Sequence, residues 1–195
     1  MTNKVRGRNK TSTGTRTRTT PTRLQARPWE GEGERLPGIY ALLFVLTREM
    51  TVSVGRLGRV IFPGGCYAYV GSGMAGVGVR IRHHLRPHPR PRWHLDHLLP
   101  HGEPAAIIVG HTSRPLECPL ATSLGRQFNV FRRFGSSDCR CPGHLFHHEE
   151  LPPMAGAVLE AIQGLGCEPL VLPVSTRLDS AWETWRGSAS SLDKG

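Results

Sequence analysis

The chain of 195 residues is 38% hydrophobic and carries a net charge of +10, which suits one modest domain with appendages. No apolar run approaches the ~20 residues that span a bilayer, which excludes a membrane-spanning protein. The excess of positive charge predicts a polyanion, above all nucleic acid, as the partner, with a membrane surface as the second choice.

The first 36 residues are a basic tail rich in Thr and Arg. They hold nine Lys or Arg against three Glu, so six of the ten net positive charges lie here. Hardly any aliphatic residue is present to build a core, which predicts a disordered arm that contacts nucleic acid loosely. An Arg-rich, acid-poor start also resembles an organellar transit peptide, but it lacks an amphipathic apolar stripe.

The segment after the tail predicts a small antiparallel sheet. Residues 38–46 (GIYALLFVL) are apolar on both alternating faces, as in a strand buried on both sides. The stretches 50–62 (MTVSVGRLGRVIF) and 65–71 (GCYAYVG) follow with glycine turns between them, as adjacent antiparallel strands do. Strand alternation places Tyr69 and Gly71 on one face of this sheet.

A change of period predicts a short helix after the third strand. Apolar residues recur every four positions from Val77, and Pro87 ends the pattern. Arg80 and His84 lie beside the apolar stripe, one turn apart. This helix therefore presents a cation and an imidazole next to its packed side.

Later segments alternate between strand and helix patterns. Residues 105–110 indicate a strand, and residues 116–128 indicate a helix with Pro119 in its first turn. The remaining elements are a polar loop over 134–150, a helix over 154–163 and a strand over 169–174. We therefore predict three parts, namely the tail (1–36), an α/β domain (37–150) and an extension (151–195) that is partly helical and then loose.

Two tripeptides and four longer motifs carry a family resemblance. Residues 38–40 (GIY) and 69–71 (YVG) resemble the pair that gives the GIY-YIG endonuclease superfamily its name. The stretches GSGMAGVGVRIRHHLR, RWHLDHLL, LECPLA and FGSSDCRCPGHLF resemble one branch of it, the domain of unknown function 123. The resemblance covers residues 38–148 and implies a compact α/β module whose small central antiparallel sheet is flanked by helices.

The resemblance implies a metal-dependent DNA endonuclease that hydrolyses phosphodiester bonds by a one-metal mechanism. Tyr40 takes the position of the general base, with Tyr69 and His84 expected to lower its pKa. For this role we expect Tyr40 and Tyr69 to lie on neighbouring strands, with their hydroxyls converging on the side of the sheet where the helix that carries Arg80 and His84 packs. Arg80 matches the catalytic arginine, whose planar fork can grip two phosphate oxygens. Glu117 matches the single carboxylate that holds Mg²⁺ or Mn²⁺.

The same residues also have plain structural interpretations. A strand tyrosine usually packs in a core, and Glu117 could be an acid favoured near a helix N-terminus by the helix dipole. Many members of the superfamily carry a late asparagine near the scissile phosphate. Here residues 136–138 occupy that part of the chain, and Asn129 just before them does not match the motif. A catalytically inactive nucleic-acid-binding module on the same fold is therefore the alternative.

A basic run extends from Arg80 to Arg92. Its alternate prolines from Pro87 to Pro91 stiffen the segment in an extended form, which keeps its cations away from nearby acids. We predict that it contacts the phosphates of the nucleic acid. The predicted contacts are Arg82, Arg86, Arg90 and Arg92.

The stretch RWHLDHLL follows this run and places one carboxylate among several histidines. Asp96 could fix the tautomer of a histidine. A structural hydrogen-bond cluster is the favoured interpretation over direct catalysis. Its members are Trp93, His94, Asp96 and His97.

The cysteines admit a zinc interpretation. Cys139, Cys141 and His144 form a Cys-x-Cys-x-x-His pattern, with Cys118 as a candidate fourth ligand. This spacing is not the usual Cys-x₂-Cys knuckle, so loop and core roles are favoured, and a zinc-stabilised interaction protein is a third hypothesis. The odd total of five cysteines with no signal peptide disfavours a secreted disulfide scaffold and predicts the reducing cytoplasm.

Overall fold

A computed structural model describes residues 35–86 and 89–174. The predictions made for the tail through residue 34, for positions 87 and 88 and for the end from residue 175 lie outside the described residues. The strands are β1 Gly38–Leu46, β2 Met50–Ser53, β3 Arg59–Phe62, β4 Gly65–Gly73, β5 Glu103–His111, β6 Asn129–Phe131, β7 Leu145–His148 and β8 Pro169–Pro173. The α-helices are α1 Val77–His84, α2 His94–Leu98, α3 Glu117–Leu124 and α4 Leu151–Gly164.

Six of the strands form one antiparallel sheet in the order β6-β7-β4-β1-β5-β8. Strand β1 lies between β4 and β5, and nearly all of its side chains are buried. This confirms the predicted mixed α/β fold with a central antiparallel sheet flanked by helices. Among the described helices, none is long and apolar enough to cross a membrane.

The two faces of the sheet carry separate apolar layers because β1 alternates between them. Ile39 and Leu43 belong to the layer that includes α3 and α4. Tyr40, Leu42 and Phe44 belong to the opposite layer, which includes residues of α1, α2, β2 and β3. The two tyrosines expected in the site, Tyr40 and Tyr69, therefore share one face of the sheet, as predicted.

The stretch 50–62 differs from the prediction. Its strands β2 and β3 pair with each other in a separate two-stranded ribbon and do not join the central sheet. Only one side of the ribbon meets the core. Val52 and Phe62 are buried, whereas the neighbouring Ile61 remains 58% exposed.

The predicted loop over 134–150 is wrong in its second half. Leu145 and Phe146 are fully buried, and β7 pairs with β4 through them. Burial of these two apolar side chains outweighs the polar composition around them.

The boundary predicted after residue 150 falls inside the packed unit. Helix α4 buries an apolar face against the sheet, and β8 pairs with β5. Pro152 and Pro153 lie in the first turn of α4, where their missing N–H groups cost the helix no hydrogen bond. The described packing therefore continues to residue 173.

The ring of Tyr40 lies over a glycine of the neighbouring strand. Tyr40 pairs with Gly71 across β1 and β4. A Cβ at Gly71 would lie 2.5 Å from Tyr40 Cζ and 2.9 Å from Cε1. The tyrosine of the first tripeptide thus occupies the volume that the glycine of the second leaves free.

Gly71→Ala should destabilise the fold by about 1–3 kcal/mol, because the added methyl must displace a buried ring from a close-packed layer. Chemical denaturation with a two-state fit measures this. The matched control is Gly164→Ala near the end of α4, where a Cβ meets nothing within 4 Å and alanine favours the helix by about 0.5–1 kcal/mol. Equal effects of the two variants would contradict this account of the Tyr40–Gly71 contact.

Candidate active site

A cleft of about 410 Å³ opens at the end of the sheet where β1 begins and β4 ends. Four of the five predicted catalytic residues line it, namely Tyr40, Tyr69, Arg80 and Glu117. The fifth, His84, lies behind Tyr40 on α1. The tertiary structure therefore brings together side chains from two strands and two helices.

A chain of buried hydrogen bonds runs back from the cleft through Tyr40. The hydroxyl of Tyr40 lies 2.9 Å from His84 Nε2, and His84 Nδ1 lies 3.0 Å from Asp96 Oδ1. Asp96 Oδ2 accepts the backbone N–H groups of Arg92 and Trp93 at 2.9 and 3.1 Å. Because the carboxylate takes the Nδ1–H of His84, the imidazole presents an unprotonated Nε2 that accepts the Tyr40 hydroxyl.

The expectation that Tyr69 and His84 lower the pKa of Tyr40 is wrong. Burial raises the pKa of Tyr40 well above its usual value, and the neighbouring Tyr69 phenol raises it further, while the charge of Arg80 only partly offsets this. Burial also lowers the pKa of His84, although Asp96 opposes that shift. At neutral pH the pair is therefore a neutral phenol that donates to a neutral imidazole.

Asp96 remains an anion. Burial on its own would raise the pKa of this carboxyl, but hydrogen bonds from His84, from two backbone N–H groups and from His83 hold it far below its usual range. His83 Nε2 lies 3.3 Å from the second carboxylate oxygen. The chain of hydrogen bonds thus ends at the negatively charged Asp96, which is bound to a histidine, His84, that can accept a proton.

Two arginines are held at the cleft by an indole. The guanidinium of Arg80 lies 4.3 Å from the centre of the Trp93 ring, and that of Arg92 lies 5.5 Å from it. Cation–π contact of this kind orients a guanidinium without using its N–H donors. Among the carboxylates that the structure describes, none forms an ion pair with Arg80. Its donors face a cleft that could hold an anion.

Glu117 reaches the cleft from the other face of the sheet. It is the first residue of α3, and its Oε2 accepts the hydroxyl of Ser72 at the end of β4. Its Oε1 lies 2.9 Å from His144 Nδ1, although the angles of that contact are not those of a hydrogen bond. Burial would raise the pKa of Glu117, but His144, Ser72 and the charge of Arg80 outweigh it and lower the pKa.

The Glu117 carboxylate fits a hard divalent cation. It is ionised, its side chain is 28% exposed at the cleft, and each of its oxygens keeps a second lone pair. Mg²⁺ commonly binds through one or two carboxylates and keeps several waters. A single carboxylate facing a wet cleft is consistent with that mode.

The loop after β6 supplies further polar groups. Ser137 and Asp138 line the cleft, whereas Asn129 is exposed on β6 and does not. His94 anchors this loop, since its Nδ1 accepts the backbone N–H of Gly135 at 2.9 Å. His94 thus has the structural role expected for the RWHLDHLL cluster, while Asp96 contacts His84 directly.

The predicted phosphate-contacting arginines differ in exposure. Arg92 lines the cleft, and Arg86 and Arg90 are exposed on the segment between α1 and α2. Arg82 is half-buried. Their contact with nucleic acid remains a prediction.

Sequence reasoning missed Ser72, the stacking role of Trp93 and the contact between His144 and Glu117. Of these three, only the position of Ser72 could have been predicted from strand alternation. Ser72 follows Gly71 and so points to the opposite face of the sheet, the face on which α3 packs. The contact of Trp93 with Arg80 and that of His144 with Glu117 join residues from different elements, so no local pattern predicts them.

The depressed pKa of Asp96 has a consequence for acid stability. The carboxyl protonates near pH 3.9 in the unfolded chain and well below that in the folded protein. Its contribution to the free energy of unfolding is therefore complete above pH ~5 and is lost as pH falls towards 2. Asp96→Asn should therefore have a lower free energy of unfolding than wild type at pH 6, and this difference should shrink below pH ~4. Urea denaturation of both proteins across this pH range measures the difference. A difference that does not change with pH would contradict the lowered pKa of Asp96.

Comparison with known proteins gives one family. The chain matches neither a curated protein nor a solved structure. The family model described as "Domain of unknown function DUF123" matches residues 39–167. This range extends beyond the motifs at 38–148 and takes in all of α4. Because the match covers well over half of its length, the chain belongs to the DUF123 domain family.

Proposed function

We propose that the protein is a metal-dependent DNA endonuclease of the GIY-YIG superfamily that hydrolyses phosphodiester bonds by a one-metal mechanism. The observation that carries the proposal is the convergence on one cleft of the Tyr40–His84–Asp96 chain, the Arg80 guanidinium and the Glu117 carboxylate. Hydrolysis of a phosphodiester needs a base for the attacking water, a cation for the phosphate and charge stabilisation at the leaving oxygen.

The buried hydrogen bonds give a phenol of raised pKa a way to act as a base. Tyr40 Oη takes a proton from the attacking water as it passes its own proton to His84 Nε2, 2.9 Å away. Asp96 stabilises the imidazolium that forms, as the carboxylate does in a Ser-His-Asp triad. No phenolate has to exist beforehand, so the raised pKa of Tyr40 is compatible with this role.

Arg80 would bind the scissile phosphate. Its fork can donate to two phosphate oxygens, and the charge on those oxygens rises as the water adds. Trp93 keeps the guanidinium at the cleft wall before substrate binds, which limits the side-chain entropy lost on binding. Arg92, on the same ring, extends the positive surface towards the flanking phosphates.

Glu117 would hold Mg²⁺ or Mn²⁺, which when bound stabilises negative charge on the leaving oxygen. Ser72 and His144 restrain the carboxylate from its two sides. The cleft that Tyr40 and Arg80 line can therefore also offer a restrained, ionised ligand.

The proposal predicts divalent-metal-dependent cleavage of DNA. A panel of labelled duplex, branched and single-stranded DNA should contain a substrate that the wild type cuts with Mg²⁺ or Mn²⁺. Glu117→Gln should cut it at least about 100-fold more slowly. Glu160→Gln, at an exposed position of α4, is the matched control and should cut normally. DNA binding without cleavage by the wild type would favour the inactive binding module and contradict the nuclease.

Tyr40→Phe should lower turnover by about 10²-fold or more, the scale of general-base loss, with DNA affinity near that of wild type. Loss of one buried hydrogen bond should cost about 1 kcal/mol of stability. Single-turnover cleavage and fluorescence anisotropy separate the two effects. Tyr67→Phe is the matched control, because Tyr67 is buried in the same layer but its hydroxyl donates to Pro63 O at 2.5 Å.

Arg80→Ala should differ from Tyr40→Phe by weakening affinity and turnover together, since it removes a phosphate contact. Arg126→Ala, at an exposed arginine after α3, controls for the change of net charge. A Tyr40→Phe enzyme that cuts at the wild-type rate under saturating metal would refute the proton path.

A further inference from the structure

Four soft metal ligands meet beside the cleft. The ligand atoms of Cys118, Cys139, Cys141 and His144 all lie within 4.8 Å of one another. Cys118 is the second residue of α3, and the other three lie in the loop between β6 and β7. The tertiary structure thus brings the candidate fourth ligand, Cys118, to the three residues of the Cys-x-Cys-x-x-His pattern.

The distances suit a tetrahedral ion. With Zn–S bonds of about 2.3 Å, ligand atoms at tetrahedral corners lie roughly 3.8 Å apart, and sulfur–nitrogen pairs slightly closer. Cys139 Sγ lies 3.5 Å from His144 Nε2. Small side-chain rotations bring the remaining atoms into range, and three thiols with one imidazole are a common donor set for structural zinc.

The outer contact of the histidine is a second, independent observation. His144 is only 1% exposed, and its Nδ1 has no hydrogen-bond partner within the described part of the chain. That atom nevertheless lies 2.9 Å from Glu117 Oε1. A metal-bound histidine usually turns its other nitrogen to a carboxylate, which fixes the tautomer and the ring.

We propose that Cys118, Cys139, Cys141 and His144 bind one Zn²⁺, with His144 Nε2 as the nitrogen ligand. The ion fastens the loop over residues 132–144 to the start of α3. This loop contains no regular element, and two of its backbone hydrogen bonds, Arg133 N–H to Pro142 O and His144 N–H to Phe134 O, tie its ends together. Loops of this length without secondary structure are uncommon in compact domains and are usually functional or disordered, so a bound ion would account for the defined course of this one.

The zinc site also connects the loop to the cleft. Glu117 and Cys118 are consecutive residues, and His144 contacts the Glu117 carboxylate while its other nitrogen faces the thiols. Zinc at this position therefore orients the carboxylate through the imidazole. This positioning role rests on the proposed function, whereas the zinc site itself does not.

The zinc site is tested on the full chain purified under reducing conditions without chelator. Elemental analysis should find one zinc per chain, and cobalt exchanged into the wild type should give intense d–d bands and a thiolate charge-transfer band of tetrahedral coordination. Cys139→Ser and Cys141→Ser should weaken zinc retention against a competing chelator by at least about 10-fold. Cys66→Ala, outside the cluster, should retain zinc like the wild type.

The cobalt spectrum of the wild type needs no variant, so a misfolded cysteine variant leaves the proposal testable. A wild-type chain that takes up neither zinc nor cobalt would overturn it. A disulfide among these cysteines in protein kept anaerobic would overturn it as well.

The positioning role is tested with His144→Cys, which keeps four soft ligands but removes the contact to Glu117. This variant should retain one zinc, while the Mg²⁺ concentration for half-maximal cleavage rises about 10-fold, the lower end of the usual effect of an outer contact. If the wild type cuts no DNA, Mn²⁺ binding followed by electron paramagnetic resonance gives the same comparison. Unchanged Mg²⁺ or Mn²⁺ dependence with zinc retained would overturn the positioning role and leave the zinc site standing.

Discussion

The candidate site depends on one buried chain of hydrogen bonds, from Tyr40 through His84 to Asp96. It joins the first strand, the first helix and the second helix, which contribute one residue each. Buried polar groups are costly unless they are paired, and His84 supplies a partner to both Tyr40 and Asp96. Asp96 also accepts two backbone N–H groups before α2, and the same interaction therefore fixes the entry of that helix. These hydrogen bonds thus determine the positions and protonation states of the three side chains as well as the start of α2.

Glycines allow the backbone to pack closely at the end of the sheet where the cleft opens. A Cβ at Gly38 would lie 2.8 Å from Gly110 O, and one at Gly73 would lie 2.6 Å from Val77 Cα. The strands and the start of α1 can approach each other there only without side chains. Tyr40 uses the space above Gly71 in the same way. Groups from both faces of the sheet can therefore meet at its end, with the tyrosines from one side and Glu117 from the other.

Helix α3 links the cleft to the cysteine cluster through two consecutive residues. The Glu117 carboxylate faces the cleft, and the Cys118 thiol faces the loop between β6 and β7. Ser137 and Asp138 of the same loop line the cleft. The start of α3 therefore holds both the Glu117 carboxylate and a contact to this polar loop, so the position of the loop and the position of the carboxylate depend on the same helix.

The sequence alone determined what depends on local pattern. A run that is apolar on both alternating faces located β1, alternation placed Tyr69 and Gly71 on one face, and a four-residue period located α1 with Arg80 beside His84. These follow from backbone geometry, which repeats every 2 residues in a strand and every 3.6 in a helix. Tertiary structure decided the separate β2–β3 ribbon, the raised pKa of Tyr40 and the contact of His144 with Glu117. The ribbon itself is a local pairing, but it stays out of the central sheet because β4 pairs directly with β1. The pKa of Tyr40 depends on burial, and the contact of His144 with Glu117 joins residues far apart in the chain, so no local pattern encodes either.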